Sequence, residues 1–127
     1  MQVPGITLSM VIAICVGCTR TSTQQGEVSQ AVRAWLTAAD KGDSLKLDSL
    51  SADSLAILAV PALQRGSRAY FDTFVDGGAR VHISAIEQDS AYVEASPSDP
   101  RRVALAIVLS HSARGWRVVN AAEFRRD

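Results

Sequence analysis

From Val28 onward apolar residues recur at helical spacing. Val28, Ala31, Val32, Trp35, Leu36 and Ala39 fall at i, i+3, i+4, i+7, i+8 and i+11, while Glu27, Gln30, Arg33 and Thr37 take the opposite side. The spacing predicts an amphipathic helix. It ends at Lys41-Gly42, with a cation in the last turn and a glycine free to turn left-handed just beyond it. Asp43 or Ser44 is placed to cap a short second helix through Leu50, built on Leu45, Leu47 and Leu50. Ser51 and Asp53 start a further segment over residues 54–60. Pro61, which has no N–H and crowds the turn before it, predicts a kink or a fresh start there. Over residues 62–75, Leu63, Tyr70, Phe71 and Phe74 keep helical spacing with Gly66 interrupting, and Asp76-Gly77-Gly78 stops the run.

After Gly78 the period falls to two. Val81, Ile83 and Ala85 alternate with His82 and Ser84, and Gln88-Asp89-Ser90 reads as a turn. Ala91, Val93 and Ala95 alternate with Tyr92, Glu94 and Ser96, and Pro97-Ser98-Asp99-Pro100 closes that strand. Residues 103–109 are almost continuously apolar, as in a strand covered on both faces or central in its sheet. Ser112-Ala113-Arg114-Gly115 reads as a hairpin turn into Trp116-Arg117-Val118-Val119. Short links make neighbouring strands antiparallel. The expectation is an α+β layer arrangement, with N-terminal helices packed on a meander of about four strands.

The first residues follow neither pattern. No charged side chain occurs over residues 1–19, and residues 6–18 form an apolar run too short for a membrane span of about 20 residues but the length of a secretory signal core. Residues 19–26 then carry no large apolar side chain, which reads as a solvated tether. The division is residues 1–17 leader, 18–25 cysteine and tether, and 26–127 folded domain.

At the end of the run, Val16-Gly17-Cys18 resembles the lipobox of bacterial lipoproteins, with Cys15 standing where leucine is usual. The resemblance implies a lipid on the Cys18 thiol and cleavage just before it. It also implies a protein held on a membrane of the bacterial cell envelope, facing the periplasm or exterior, with membrane lipid as its first partner. Two or more acyl chains hold firmly where one holds marginally, because each buried CH₂ contributes about 0.8 kcal/mol. Two other readings stay open. Cys15 and Cys18 form a C-x-x-C, though inside an apolar run with no second cysteine pair or nearby His. The uncharged stretch could also remain as an uncleaved anchor helix.

Composition narrows the function classes. Lys plus Arg and Asp plus Glu each number 13 in the 127 residues, and the balance is local, with seven of each over residues 18–80 and six of each over 81–127. A nucleic-acid partner would call for a basic stripe, so none is expected. The phosphate-loop, dinucleotide, nucleophile-elbow and zinc-protease motifs do not occur. No cofactor or metal is expected; the two histidines stand 29 residues apart, at His82 and His111.

The order of elements resembles the NTF2-like superfamily, which includes SnoaL-type proteins. The features are Val28-x-x-x-Val32-x-x-Trp35-Leu36, the Ala39-Asp40-Lys41-Gly42-Asp43 junction into a leucine-rich short helix, and the closing Gly115-Trp116-Arg117-Val118-Val119. The resemblance implies a cone-shaped fold with a shortened sheet. Catalytic members work inside the cone, with Asp, His and Tyr, or with an Asp–Arg network. Asp40, Tyr70, Asp72, His82, Tyr92 and His111 are the residues of those types here, each with a plainer structural reading at a helix end, a turn or a strand surface. A pocket would be built from Trp35, Tyr70, Phe74, His82, Tyr92 and Trp116. The expected function is therefore a non-catalytic domain that binds an envelope protein or a small apolar ligand. A small isomerase- or hydratase-type cone enzyme is the alternative. A cone filled by Trp35, Phe71, Phe74 and Ile107 would favour the first.

Overall fold

The computed structural model describes residues 23–64, 70–76, 78–97 and 104–124. The expectations for Cys15, Cys18, Gly66, Gly77 and residues 98–103 lie outside them. The first helix, α1 (residues 23–41), buries Val28, Val32, Trp35, Leu36, Ala38 and Ala39, the stripe that the spacing marks. Its described residues reach into the stretch read as a tether, since residues 23–25 are helical and exposed. Its last turn closes as expected. Gly42 takes φ +67°, its N–H reaches the Ala39 carbonyl, and the Asp43 N–H reaches Ala38 across 3.0 Å. These two bonds satisfy carbonyls that a helix end otherwise leaves open.

The capping expectations hold for the next two helices. Asp43 caps α2 (Ser44–Leu50) by accepting the Lys46 N–H on Oδ1, and Leu47 is its buried residue. Asp53 accepts the Leu55 N–H at the start of α3 (Ser54–Gln64). That helix runs through Pro61, so of the kink or fresh start expected there the fresh start does not occur. Ala56, Val60 and Leu63 hold the same face before and after the proline, and their burial keeps the segment continuous. The predicted run over residues 62–75 is divided between the end of α3 and a separate turn of helix, α4 (Asp72–Val75), preceded by a turn at Tyr70-Phe71.

The second half is one antiparallel sheet of four strands in chain order: β1 (Arg80–Glu87), β2 (Ser90–Ser96), β3 (Ala104–Ser112) and β4 (Gly115–Phe124). Gly115, at φ +95°, supplies the left-handed residue that ends the Ala113-Arg114 turn, and the Ser112 hydroxyl accepts the Arg114 N–H inside it. β3 is an inner strand, as its apolar content suggests, but only one of its faces is covered: Leu105, Ile107 and Leu109 are buried while Ala106 is exposed. The register sets Ile83, Val93, Ile107 and Ala121 in one cross-strand row toward the helices. The neighbouring row, His82, Glu94, Ala106 and Ala122, falls on the other face.

Helices and sheet share one core. Trp35, Phe71, Leu36, Leu105, Ile107, Leu109, Val28, Val32 and Val118 are its largest fully buried members. The α2–α3 link closes the outer edge of β4: Ser51 forms a parallel bridge with Val118, and the Ala52 N–H donates to the Val118 carbonyl across 2.7 Å. That pairing uses groups an edge strand would otherwise offer to another chain.

Candidate functional site

Where α1 faces the β3–β4 hairpin, the structure leaves a cleft of about 750 Å³. Glu27, Gln30, Ala31 and Ala34 form one wall, and His111, Ser112 and Trp116 form much of the other. The α1 wall follows from helical spacing, because residues three and four apart stand above one another. The hairpin wall follows from register: His111 pairs with Trp116 across the turn, and their rings stand 4.9 Å apart at 45°. The His111 N–H also donates to the Asp89 carbonyl, which ties this end of the sheet to the β1–β2 turn. Trp116 is 6% exposed, and its indole Nε1 is buried with no acceptor among the described residues. The cleft thus joins an edge of Trp116 and three alanines, Ala31, Ala34 and Ala113, to a carboxylate, a primary amide and an imidazole. It is a broad depression open to solvent rather than an enclosed cavity.

A second hollow of about 280 Å³ lies along α1 beyond Ala34, lined by Arg33, Thr37, Lys41, Asp43 and Lys46. Two of its charged groups already have structural work. Arg33 Nη1 donates to the Ala79 carbonyl across 3.0 Å, and Asp43 caps α2.

The six residues expected to line a pocket do not meet in one. Trp35 and Phe74 are buried and Tyr70 half-buried, gathered around Phe71, whose ring is 5.9 Å from Trp35 and 5.0 Å from Tyr70. Trp116 lines the hairpin cleft instead. His82 and Tyr92 stand on the far face of the sheet, because strand alternation puts them in opposite phase to Val81, Ile83, Ala91 and Val93. Ser51, the buried polar residue on which Trp35 rests, and Glu27 and Gln30, which read as plain solvated positions of α1, were not marked by the sequence.

The residues of catalytic type do not gather in one site, although Asp40 and Asp72 lie close enough to repel one another. Asp40 ends α1, while Asp72 belongs to α4 and is solvent-exposed. Asp76 first, and then partial desolvation and Asp40, raise the Asp72 carboxyl above the ordinary aspartate range. Repulsion among carboxylates explains the shift, and no base–nucleophile pairing is needed. Among the described residues, no group of three or more His, Cys, Asp or Glu side chains is disposed to hold a metal ion. No helix among them is long and apolar enough to cross a membrane. No family model, curated protein or solved structure matches the chain.

Proposed function

We propose that this chain is a lipid-tethered protein of the bacterial envelope, attached through Cys18, whose folded domain binds a small ligand or partner without transforming it. The observation that carries the non-catalytic half is the filled interior. Trp35, Phe71, Phe74 and Ile107 occupy the space between helices and sheet where a cone enzyme would hold its substrate. Of the acid–base groups that the sequence marks, Asp40 and Asp72 lie near one another at helix ends, His82 and Tyr92 on the solvated sheet face, and His111 at the hairpin, where Glu27 shares its cleft. A long first helix, short helices after it and a four-stranded antiparallel meander support reading the domain as a small NTF2-like fold with a shortened sheet.

The cleft between α1 and the hairpin is the binding site in this reading. An apolar body would lie on Trp116, Ala31 and Ala34, while Glu27, Gln30 and His111 fix its polar end. The tether reading rests on the uncharged run over residues 1–19 that ends at Val16-Gly17-Cys18. Cys18→Ser tests it. The variant should lose labelling by a palmitate analogue and leave the membrane fraction. A variant that stays membrane-bound and migrates as before would replace the lipid with an uncleaved anchor helix.

A further inference from the structure

The eleven residues of α3, Ser-Leu-Ala-Ile-Leu-Ala-Val-Pro-Ala-Leu-Gln, contain no charged side chain. A helix that is apolar all round is ordinarily covered all round. Here one face, Ala56, Val60 and Leu63, packs into the core, and α3 lies on β4. The opposite face is bare. Leu55 is 54% exposed and Leu58 63%, and Pro61 and Ala62 are exposed beside them. At 100° per residue, Leu55, Leu58 and Ala62 fall within an arc of about 60°. The outer face of the sheet, by contrast, intersperses its small apolar residues with His82, Glu94, Arg117 and Asn120.

We infer that this outer face of α3 docks onto the lipid surface to which the chain is tethered. The inference rests on lipid attachment at Cys18. Cys18 precedes Thr23, the first described residue of α1, by five residues, a reach of at most about 18 Å. The domain is therefore held within about its own diameter of the bilayer. The strip itself is small, about 16 Å long and one helix wide, far less than the ~800 Å² that a stable protein partner covers on each side. A second copy or a free protein would find too little area. A bilayer at the high effective concentration that a short tether imposes needs far less, because the attachment has already brought the two together. Lipid anchoring is firmest when a second membrane contact joins the acyl chains, and three or four shallowly inserted apolar side chains provide one.

The test uses the full chain reconstituted in phosphatidylcholine vesicles. An environment-sensitive fluorophore is attached at Leu58→Cys and, in a control, at Ala122→Cys on the exposed sheet face. Both positions are solvated, so the fold is kept, and circular dichroism verifies it. The expected result is a blue-shifted Leu58→Cys label that nitroxide-bearing lipids quench, with the Ala122→Cys label unshifted and unquenched. A vesicle-bound chain whose Leu58→Cys label stays in water overturns the docking and leaves the anchor standing. A label shielded from water but unquenched by lipid overturns it in favour of a protein covering. A chain that does not float with the vesicles overturns the anchor and the docking together.

Discussion

The indole N–H of Trp35 donates to the hydroxyl of Ser51 across 3.2 Å. Around this bond α1, the α2–α3 link and β4 meet, because the same serine bridges to Val118 and its neighbour Ala52 bonds the Val118 carbonyl. Trp35 is fully buried, so its donor must find a partner inside the protein. Ser51 provides that partner where the α2–α3 link joins the sheet edge.

Ser51→Ala removes the acceptor and strands a buried donor. The variant should lose about 1–3 kcal/mol of stability, read as a lower urea midpoint with an unchanged slope. Trp35→Ala should cost more, about 3–5 kcal/mol, because it also opens a cavity against Phe71. A Ser51→Ala variant as stable as the parent would remove this bond from the account.

The two tryptophans should respond differently to phenylalanine. Trp35→Phe leaves the Ser51 hydroxyl without its donor, whereas Trp116→Phe deletes an N–H that has no acceptor among the described residues. Trp35→Phe should therefore be the more destabilising by about 1–3 kcal/mol. Equal losses in parallel urea titrations would contradict that assignment.

Glycine substitutions should have opposite signs at two positions. Gly26 lies within α1, and a Cβ there meets nothing within 4 Å, so Gly26→Ala should stabilise by about 0.4–1 kcal/mol. A Cβ at Gly115 also meets nothing, but the backbone stands at φ +95°. Gly115→Ala should cost about 1–2 kcal/mol from backbone strain alone. Thermal unfolding of the two variants beside the parent checks both signs.

Acid should relieve the Asp72–Asp76 pair. The Asp72 carboxyl is raised, by Asp76 above all, so the folded chain holds that proton more tightly than the unfolded chain. Its stabilising contribution is full below the ordinary aspartate range and is lost as pH rises through the raised value. Asp72→Asn should therefore match or exceed the parent's stability at neutral pH, with the difference shrinking toward pH 3. An Asp72→Asn variant weaker than the parent at neutral pH would mean the carboxylate does structural work.

Asp40→Ala, at a half-buried helix end, and His82→Ala, at an exposed strand position, should leave folding and any deletion phenotype nearly unchanged, within about 0.5 kcal/mol. Glu27→Ala with His111→Ala should weaken function without unfolding the domain, since both line the cleft. Loss of function from His82→Ala at unchanged stability would move the account to an enzyme acting from the open sheet face.

Much of this architecture can be read from the chain because single periodicities dominate. The Val28-to-Ala39 stripe has one apolar side, and Val81 to Ala95 alternate, so burial follows spacing directly. Pro61 does not start a new helix because Ala56, Val60 and Leu63 share one buried face across it. The bare face of α3 is invisible to spacing for the same reason that its buried face is: both are apolar. The cleft escapes notice because it joins a helix start to a hairpin more than 80 positions later, and only the three-dimensional register shows Glu27 opposite His111. His82 and Tyr92 read as pocket residues by type, yet the alternation that defines their strands sends them to the other side.

The intact mass of the protein extracted from membranes tests the central claim most directly, since cleavage and acylation both register in it. The account predicts residues 18–127 carrying a diacylglyceryl group, with or without a further acyl chain on the new amine. An unmodified chain of 13.5 kDa with its first 17 residues still attached would contradict it.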